Sequence, residues 1–270
     1  MRKLAKSIVR RTPLWSALRP RRIHVYGVGA PKTGTRSVAH LFGSYRSKHE
    51  AHPSWTASLI KKIQRGSLSH ATVRRKMKKR EERDRLECES AYYLVHFVEH
   101  LAVLYPEAKF VCTVREPRSW LRSIIDQCIN NPREKLERPW QTLRDLSFGP
   151  LPEEYPDEES VLKEYGLYSL DQYLSYWSFH NRTLLDSIPA ERRKLIRTSA
   201  LSDEVDQLAG FAGVSTTSLR TERDHVNKAS EKHSILEEID ADYLKGKIDE
   251  HCQPIMERLS HETPISLSVR

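Results

Sequence analysis

The stretch Val25–Gly43, VYGVGAPKTGTRSVAHLFG, decides the fold. A short apolar run, Ile23 to Val28, leads into it and is interrupted by Gly27. The chain then turns through Gly29, Ala30, Pro31, Lys32, Thr33 and Gly34, and polar Thr35, Arg36 and Ser37 follow. Val38, Ala39, Leu41 and Phe42 recur at helical spacing. The pattern predicts a strand, a glycine-containing loop and a helix. Such a loop presents backbone N–H groups at a helix N-terminus, where the dipole favours an anion, and glycine permits the tight turn and close backbone approach.

Gly29 and Gly34 have the spacing of a nucleoside-triphosphate loop, but the register then departs from it. In that loop Lys and Ser/Thr follow the second glycine, and the hydroxyl binds magnesium. Here Thr35 and Arg36 stand in those places, and the lysine has moved inside the loop as Lys32. The phosphate cradle is kept while the magnesium handle is out of register. The expected ligand is a phosphate-bearing donor whose transfer needs no metal.

A chain of 270 residues can bury a substantial core. With 45 Lys+Arg against 36 Asp+Glu, its net charge of +9 favours an anionic ligand or acceptor and says nothing of fold. Cys88, Cys112, Cys128 and Cys252 are widely spaced and contain no C-x-x-C, which points to neither a zinc site nor a disulfide framework. No apolar run is long enough to span a bilayer. Residues 1–21 read as a basic leader without a signal-peptide core, and 22–270 as a single domain. The leader's interrupted apolar pattern would allow it to rest on an anionic membrane surface. The expected location is cytoplasmic, with that peripheral membrane contact as the variation.

After the first helix, Lys48, His49, Glu50 and His52 cluster at the end of a second short strand. Ligands of open α/β sheets sit at the carboxyl ends of strands, so a carboxylate or imidazole there is placed to act as general base on a hydroxyl. Residues 56–71 read as a helix. The charge run 72–87, TVRRKMKKREERDRLE, reads as a solvated helix face, with a grip on an acidic acceptor as the alternative. Leu94, Phe97, Val98, Leu101 and Leu104 predict a helix ended by Pro106. Lys109 to Val114, KFVCTV, is the most strand-like run in the chain. It ends at Arg115, and Pro117 opens a helix that carries Ser123 about two turns in. An arginine fork and a hydroxyl converging on one phosphate is sound chemistry. Residues 130–166 read as an irregular excursion over the acceptor, Leu170 to Ile188 as a helix with an aromatic core stripe, and Lys194 to Thr198 as a strand. A helix from Asp203 closed by Gly213, a polar loop at 220–228, and a C-terminal helix over 235–259 broken near Pro254 complete the chain.

Two phosphate sites, each on the loop after a strand, resemble those of the PAPS-dependent sulfotransferases. Pro31 to Ser37 is similar to the family's 5′-phosphosulfate loop, and VREPRSWLRS, Val114 to Ser123, to its 3′-phosphate motif. YPEAKFV, Tyr105 to Val111, is typical of the approach to the second motif. The resemblance spans residues 22–230 and implies a three-layer P-loop-type α/β fold with a central parallel sheet flanked by helices. It implies a sulfuryl transfer from PAPS to an acceptor hydroxyl, leaving adenosine 3′,5′-bisphosphate, with no metal. Lys32, Thr33, Gly34, Thr35, Arg36 and Ser37 would hold the 5′ end, Arg115 and Ser123 the 3′-phosphate. Lys32 would also stabilise the phosphate leaving group. The segment His225-Val226-Asn227-Lys228 is similar to a late cofactor-contacting loop of some members. Members acting on glycans carry a Lys-Glu pair after the first helix, with the glutamate as base. Here His49 intervenes between Lys48 and Glu50, so the order of candidates is Glu50, His52, His49. The charge leans toward a carbohydrate acceptor, and no nucleic-acid partner is expected. The competing classes are a small-molecule kinase on the same loop and a basic non-catalytic protein binding nucleic acid or acidic glycan.

Overall fold

Alternation along β1 (Val25–Gly29) sorts the two faces of the sheet. In the computed structural model, which describes residues 20–221 and 232–262, Tyr26 and Val28 enter one core and Val25 enters another. This is the two-residue period of a strand. Strands β2 (Ser47–His49), β3 (Cys88–Ser90), β4 (Lys109–Val114) and β5 (Arg193–Arg197) join β1 in one parallel sheet, ordered β2-β3-β1-β4-β5. The chain builds one side of β1 and then passes to the other between β3 and β4. The reversal beside β1 is where an open sheet leaves a crevice at its C-terminal edge.

The α-helices among the described residues are α1 (Thr35–Leu41), α2 (Pro53–Gln64), α3 (His70–Asp84), α4 (Val98–Leu104), α5 (Pro117–Asn130), α6 (Arg138–Phe148), α7 (Ser160–Glu164), α8 (Leu170–Ser187), α9 (Val205–Ala212) and α10 (Ala241–Glu262). Val38 of α1 and Leu208 of α9 pack on Val25, Val111 and Ile196. The other face carries Tyr26, Val28, Phe110 and Cys112 under residues of α4, α5, α8 and α10. The result is the expected three-layer α/β fold with a central parallel sheet.

Several expectations need correction. The helix read at 56–71 is two: α2 ends at Gln64, Gly66 takes φ 64°, and Ser69 caps α3 through Thr72 N–H. The charge run is not wholly solvated, because α3 buries Val73, Met77, Arg80 and Glu81 while Arg75, Lys76, Lys78 and Lys79 face outward. The excursion at 130–166 contains α6 and α7, whose Leu143, Phe148, Val161 and Leu162 join the core. Pro254 lies inside a continuous α10, held by buried Ile248, Cys252, Ile255 and Met256 on both sides of it. The segment His225–Lys228 and residues 1–19 of the leader lie outside the described residues. Arg21 at the leader's end donates to Leu86 O and Glu81 Oε2, at 2.8 and 2.6 Å.

β3 escaped the sequence reading because its residues, Cys-Glu-Ser, are not an apolar run. Its charge is neutralised inside the fold. Arg80 donates to Glu89 Oε1 at 3.0 Å and to Glu81 Oε1 at 2.8 Å, and its guanidinium lies 5.2 Å from the Trp55 ring centroid. With β3 fixed, Ser90 stands between Gly27 of β1 and His49 of β2. Removing one partner of a buried ion pair strands the other. Arg80→Ala should therefore destabilise the fold by about 3–5 kcal/mol, whereas Lys78→Ala on the exposed face should cost less than about 0.5 kcal/mol. Urea denaturation of the two variants measures the contrast.

Candidate functional site

The loop after β1 is shaped by a contact that only glycine allows. A Cβ on Gly29 would lie 2.0 Å from Thr113 Oγ1 and 2.3 Å from Thr33 Oγ1. At Gly27 it would lie 2.2 Å from Ser90 Oγ. Into the space over Gly29 goes Thr33, whose hydroxyl donates to Ala30 O at 2.7 Å and meets Thr113 Oγ1 at 2.8 Å. Its N–H also turns inward, to Ala30 O at 3.2 Å. Thr33 thus braces the loop with both of its donors. Further braces come from other elements: Trp120 Nε1 to Pro31 O at 2.7 Å, Thr198 Oγ1 to Thr33 O at 2.8 Å, and an Arg115 guanidinium N–H to Lys32 O at 3.3 Å. Lys32 and Gly34 both take left-handed backbone, φ 68° and 100°. For lysine that conformation is strained and persists only where the surroundings impose it. No side chain caps the start of α1, so the N–H groups of its first turn take no partner from one.

Cations gather around this loop. Lys32 Nζ donates to Gln127 Oε1 at 3.3 Å, and Arg115 Nε to Ser119 Oγ at 2.8 Å. Burial, then the neighbouring Arg115, pushes the Lys32 ammonium below its ordinary pKa, with Arg36 adding to the effect and Asp126 opposing it. Burial likewise lowers Arg115. Half-buried cations held below their ordinary pKa are relieved by an anion. Ser123 is half-buried on α5, one turn beyond Ser119, and Gln127 follows it by another turn. Gln127 and Ser119 were missed in the sequence. The signal available was their spacing of four residues on either side of Ser123, which puts the three on one helix face. Ser37 and Arg36 are exposed on the first turn of α1.

The second cluster lies at the end of β2. Thr35 Oγ1 is 3.1 Å from His49 Nε2, and His49 Nδ1 is 3.6 Å from Glu50 Oε2. Glu50 donates its N–H to Ser90 O at 2.9 Å and takes φ 51°, so the chain turns sharply where β2 ends. Burial pushes the Glu50 carboxyl up to about 7, against a smaller opposing pull from Arg36. Burial and Arg36 together push His49 down to about 4. At neutral pH the imidazole is uncharged and a weak base, while the carboxyl is poised at the pH where a general base works best. His52 also has left-handed backbone, φ 57°, but its Nε2 lies 2.8 Å from Asp84 Oδ2 on α3. Burial lowers its pKa, and Asp84 opposes that shift. Lys48 is exposed. The loop and the β2 end are thus joined through Thr35, which belongs to one and touches the other.

Residues 24–231 match the family model described as a sulfotransferase domain. Similar solved structures include a sulfotransferase from Alicyclobacillus acidocaldarius, 19% identical with a TM-score of 0.47 over 89% of this chain and 95% of that one. A sulfotransferase domain from the curacin biosynthetic pathway is 15% identical, TM-score 0.46, over 90% and 98%. The sulfotransferase domain of the Synechococcus PCC 7002 olefin synthase is 13% identical, TM-score 0.40, over 84% and 86%. No curated protein matches the chain by sequence.

The electrostatics of the β2 end give a direct expectation. The Glu50 side chain should titrate with a midpoint near 7 when followed by carbon NMR of its carboxyl. Because Arg36 favours the ionised form, Arg36→Ala should move that midpoint upward. A midpoint near the ordinary carboxylate value would contradict this description of the pocket.

Proposed function

The chain belongs to the sulfotransferase family, and we propose that it moves a sulfuryl group from PAPS to an acceptor hydroxyl. The observation that carries the reading is the contact between the two halves of the site. Thr35 of the strained cationic loop touches His49, which adjoins Glu50, a carboxyl poised near neutrality. A phosphate cradle and a general base brought together through Thr35 and His49 are what transfer from a phosphosulfate to an alcohol requires.

In this reading Gly34, Thr35, Arg36 and Ser37 hold the 5′-phosphosulfate end with Lys32, and Arg115 and Ser123 hold the 3′-phosphate. Thr33 supports the loop from beneath. Glu50 accepts the proton of the acceptor hydroxyl as that oxygen bonds to sulfur. The bond between sulfur and the bridging oxygen breaks, and its electron pair stays on the 5′-phosphate. Lys32 stabilises the charge that collects there. Thr35 holds His49, which stands beside Glu50. Thr35-Arg36 stands where a kinase would place Lys-Ser/Thr, so the residues supply no magnesium handle of the usual kind. The net charge of +9 is the feature favouring a carbohydrate acceptor.

Calorimetry tests the donor half. Adenosine 3′,5′-bisphosphate should bind far more tightly than AMP, and Arg115→Ala should remove about 1.5–3 kcal/mol of that preference, the worth of a charge-assisted contact. Equal affinity for the two nucleotides would remove the assignment. For the acceptor half, Glu50→Gln should lower turnover by about 10²–10⁴-fold at unchanged nucleotide affinity. Wild-type turnover should fall as the pH drops through about 7, because protonated Glu50 cannot accept a proton. Near-normal turnover in Glu50→Gln alongside an inactive His49→Ala would move the base to the imidazole.

A further inference from the structure

Beyond the ends of β3 and β4 lies a cavity of about 590 Å³, walled by His96, Leu146, Phe148, Asp171, Tyr176 and Phe179. Its position follows from the course of α8. The C-terminal end of that helix is at the start of β5, where Arg193 donates to Ile188 O at 2.6 Å. Higher up, Trp177 Nε1 donates to Arg115 O at 3.0 Å, and His180 Nε2 lies 3.3 Å from Tyr92 O. Arg115 and Tyr92 are among the first residues past β4 and β3. The half of α8 that precedes Trp177, which lines the cavity, therefore projects past the C-terminal edge of the sheet. That edge is where open α/β sheets take their ligands.

The cavity connects to both halves of the site through intervening side chains. Tyr176, in its wall, stacks on Trp120 with centroids 6.4 Å apart, and Trp120 is bonded to Pro31 of the phosphate loop. Tyr92 stands near Tyr176 and Glu50 together, and both make its phenol harder to ionise, after burial.

The lining is electrically quiet. Phe148 and Tyr176 meet edge to face at 5.0 Å, and His96 and Phe179 lie 5.8 Å apart. Burial pushes His96 down to about 4, so it is uncharged at neutral pH. Among the described residues, no lysine or arginine lines the space, and its uncharged polar side chains are Gln64, Ser147, Gln172 and Ser175. Asp171, the one carboxylate among the described lining residues, is engaged from outside by Lys247 at 2.8 and 3.1 Å and by His251 at 2.8 Å. An anionic sugar would leave its carboxylates or sulfates in such a space without a guanidinium or ammonium partner, which is costly. An apolar body would gain from leaving water. The volume is in the range of small-molecule sites.

We propose that this cavity receives the body of the acceptor, and that the acceptor is an uncharged alcohol or phenol with an apolar aryl or alkyl body. The inference rests on the sulfotransferase reading and narrows it. It replaces the carbohydrate that net charge alone favoured.

The test measures PAPS-dependent turnover with 2-naphthol, 1-decanol and a heparin-derived tetrasaccharide, together with titration by adenosine 3′,5′-bisphosphate. The wild type should use one of the two apolar alcohols with a kcat/KM at least about tenfold above that for the tetrasaccharide. Ser175 and Phe179 line the cavity from exposed positions of α8, so their replacement spares the core. Ser175→Trp, which fills the space, should lower kcat/KM for the apolar alcohol about tenfold or more, with nucleotide affinity within about twofold of wild type. Phe179→Lys should also weaken it. A preference for the tetrasaccharide, or a gain on it in Phe179→Lys with no loss on the alcohols, would overturn the proposal. So would nucleotide binding without use of either alcohol, or full alcohol turnover in both variants. Failure of the wild type to bind the nucleotide would instead bring down the sulfotransferase reading and this inference with it.

Discussion

The contact between Gly29 and the side chain of Thr113 governs everything above the sheet. The two residues are register partners on adjacent strands, and a Cβ at Gly29 would come within 2.0 Å of the threonine hydroxyl. Because that space is free, Thr33 can drop its own hydroxyl into it and pull the loop back over β4. The loop carbonyls then fall within reach of donors at three strand ends and helix starts: Trp120, Arg115 and Thr198. With its carbonyls directed into the protein, the loop is left with lysine in a left-handed conformation and an uncapped helix start beyond it. Loss of the glycine would push Thr33 out and release each of these braces in turn.

The same arrangement separates two kinds of electrostatics only a few residues apart. On the loop side, burial lowers the pKa of both Lys32 and Arg115, and Arg115 adds to the shift on Lys32. On the β2 side, a carboxyl is buried enough to resist ionisation, and the nearby Arg36 only partly restores it. One environment is prepared for negative charge to arrive, the other for a proton to arrive. The positive φ values support this division. Among the described residues, the non-glycine residues with φ > 0 are Lys32, Glu50, His52 and Arg85, so three of the four are the leaving-group candidate and two of the base candidates.

The sequence made the fold legible where elements are apolar and regular: β1, β4, α5 and α8 come from hydrophobic period and from Gly29, Pro117 and the run KFVCTV. It concealed β3, because a strand can be Cys-Glu-Ser when Arg80 arrives from a helix to neutralise the glutamate. It likewise concealed the inward face of α3, since a buried Arg-Glu set looks in sequence like any solvated charge run. At the site, single residues were visible but not their partners. Lys32 and Glu50 stand out by type and place, whereas Gln127, Ser119 and the Thr113–Thr33 pair are defined by contacts across 4 to 95 residues of chain. The difference between His52 and His49 was also invisible, since it depends on Asp84 lying beside one and Thr35 beside the other.

Net charge and the cavity lining point to different acceptors for a physical reason. Charge acts on encounter over a distance of about 8–10 Å before salt screens it, whereas selection among acceptors is made by the atoms that touch them. Part of the surplus of cations is on the outer face of α3, at Arg75, Lys76, Lys78 and Lys79, which are exposed. Arg2, Lys3, Lys6, Arg10, Arg11 and Arg19 add to it ahead of the described residues. The cations that do reach the site surround the phosphate loop, and a donor with two phosphate groups and a sulfate is itself a polyanion that a positive field would draw in. With the proposed donor accounting for the positive charge, nothing obliges the acceptor to be anionic. The lining of the cavity is then the better guide, and it offers aromatic rings, a neutral imidazole, uncharged amides and hydroxyls, and a carboxylate already bound to lysine.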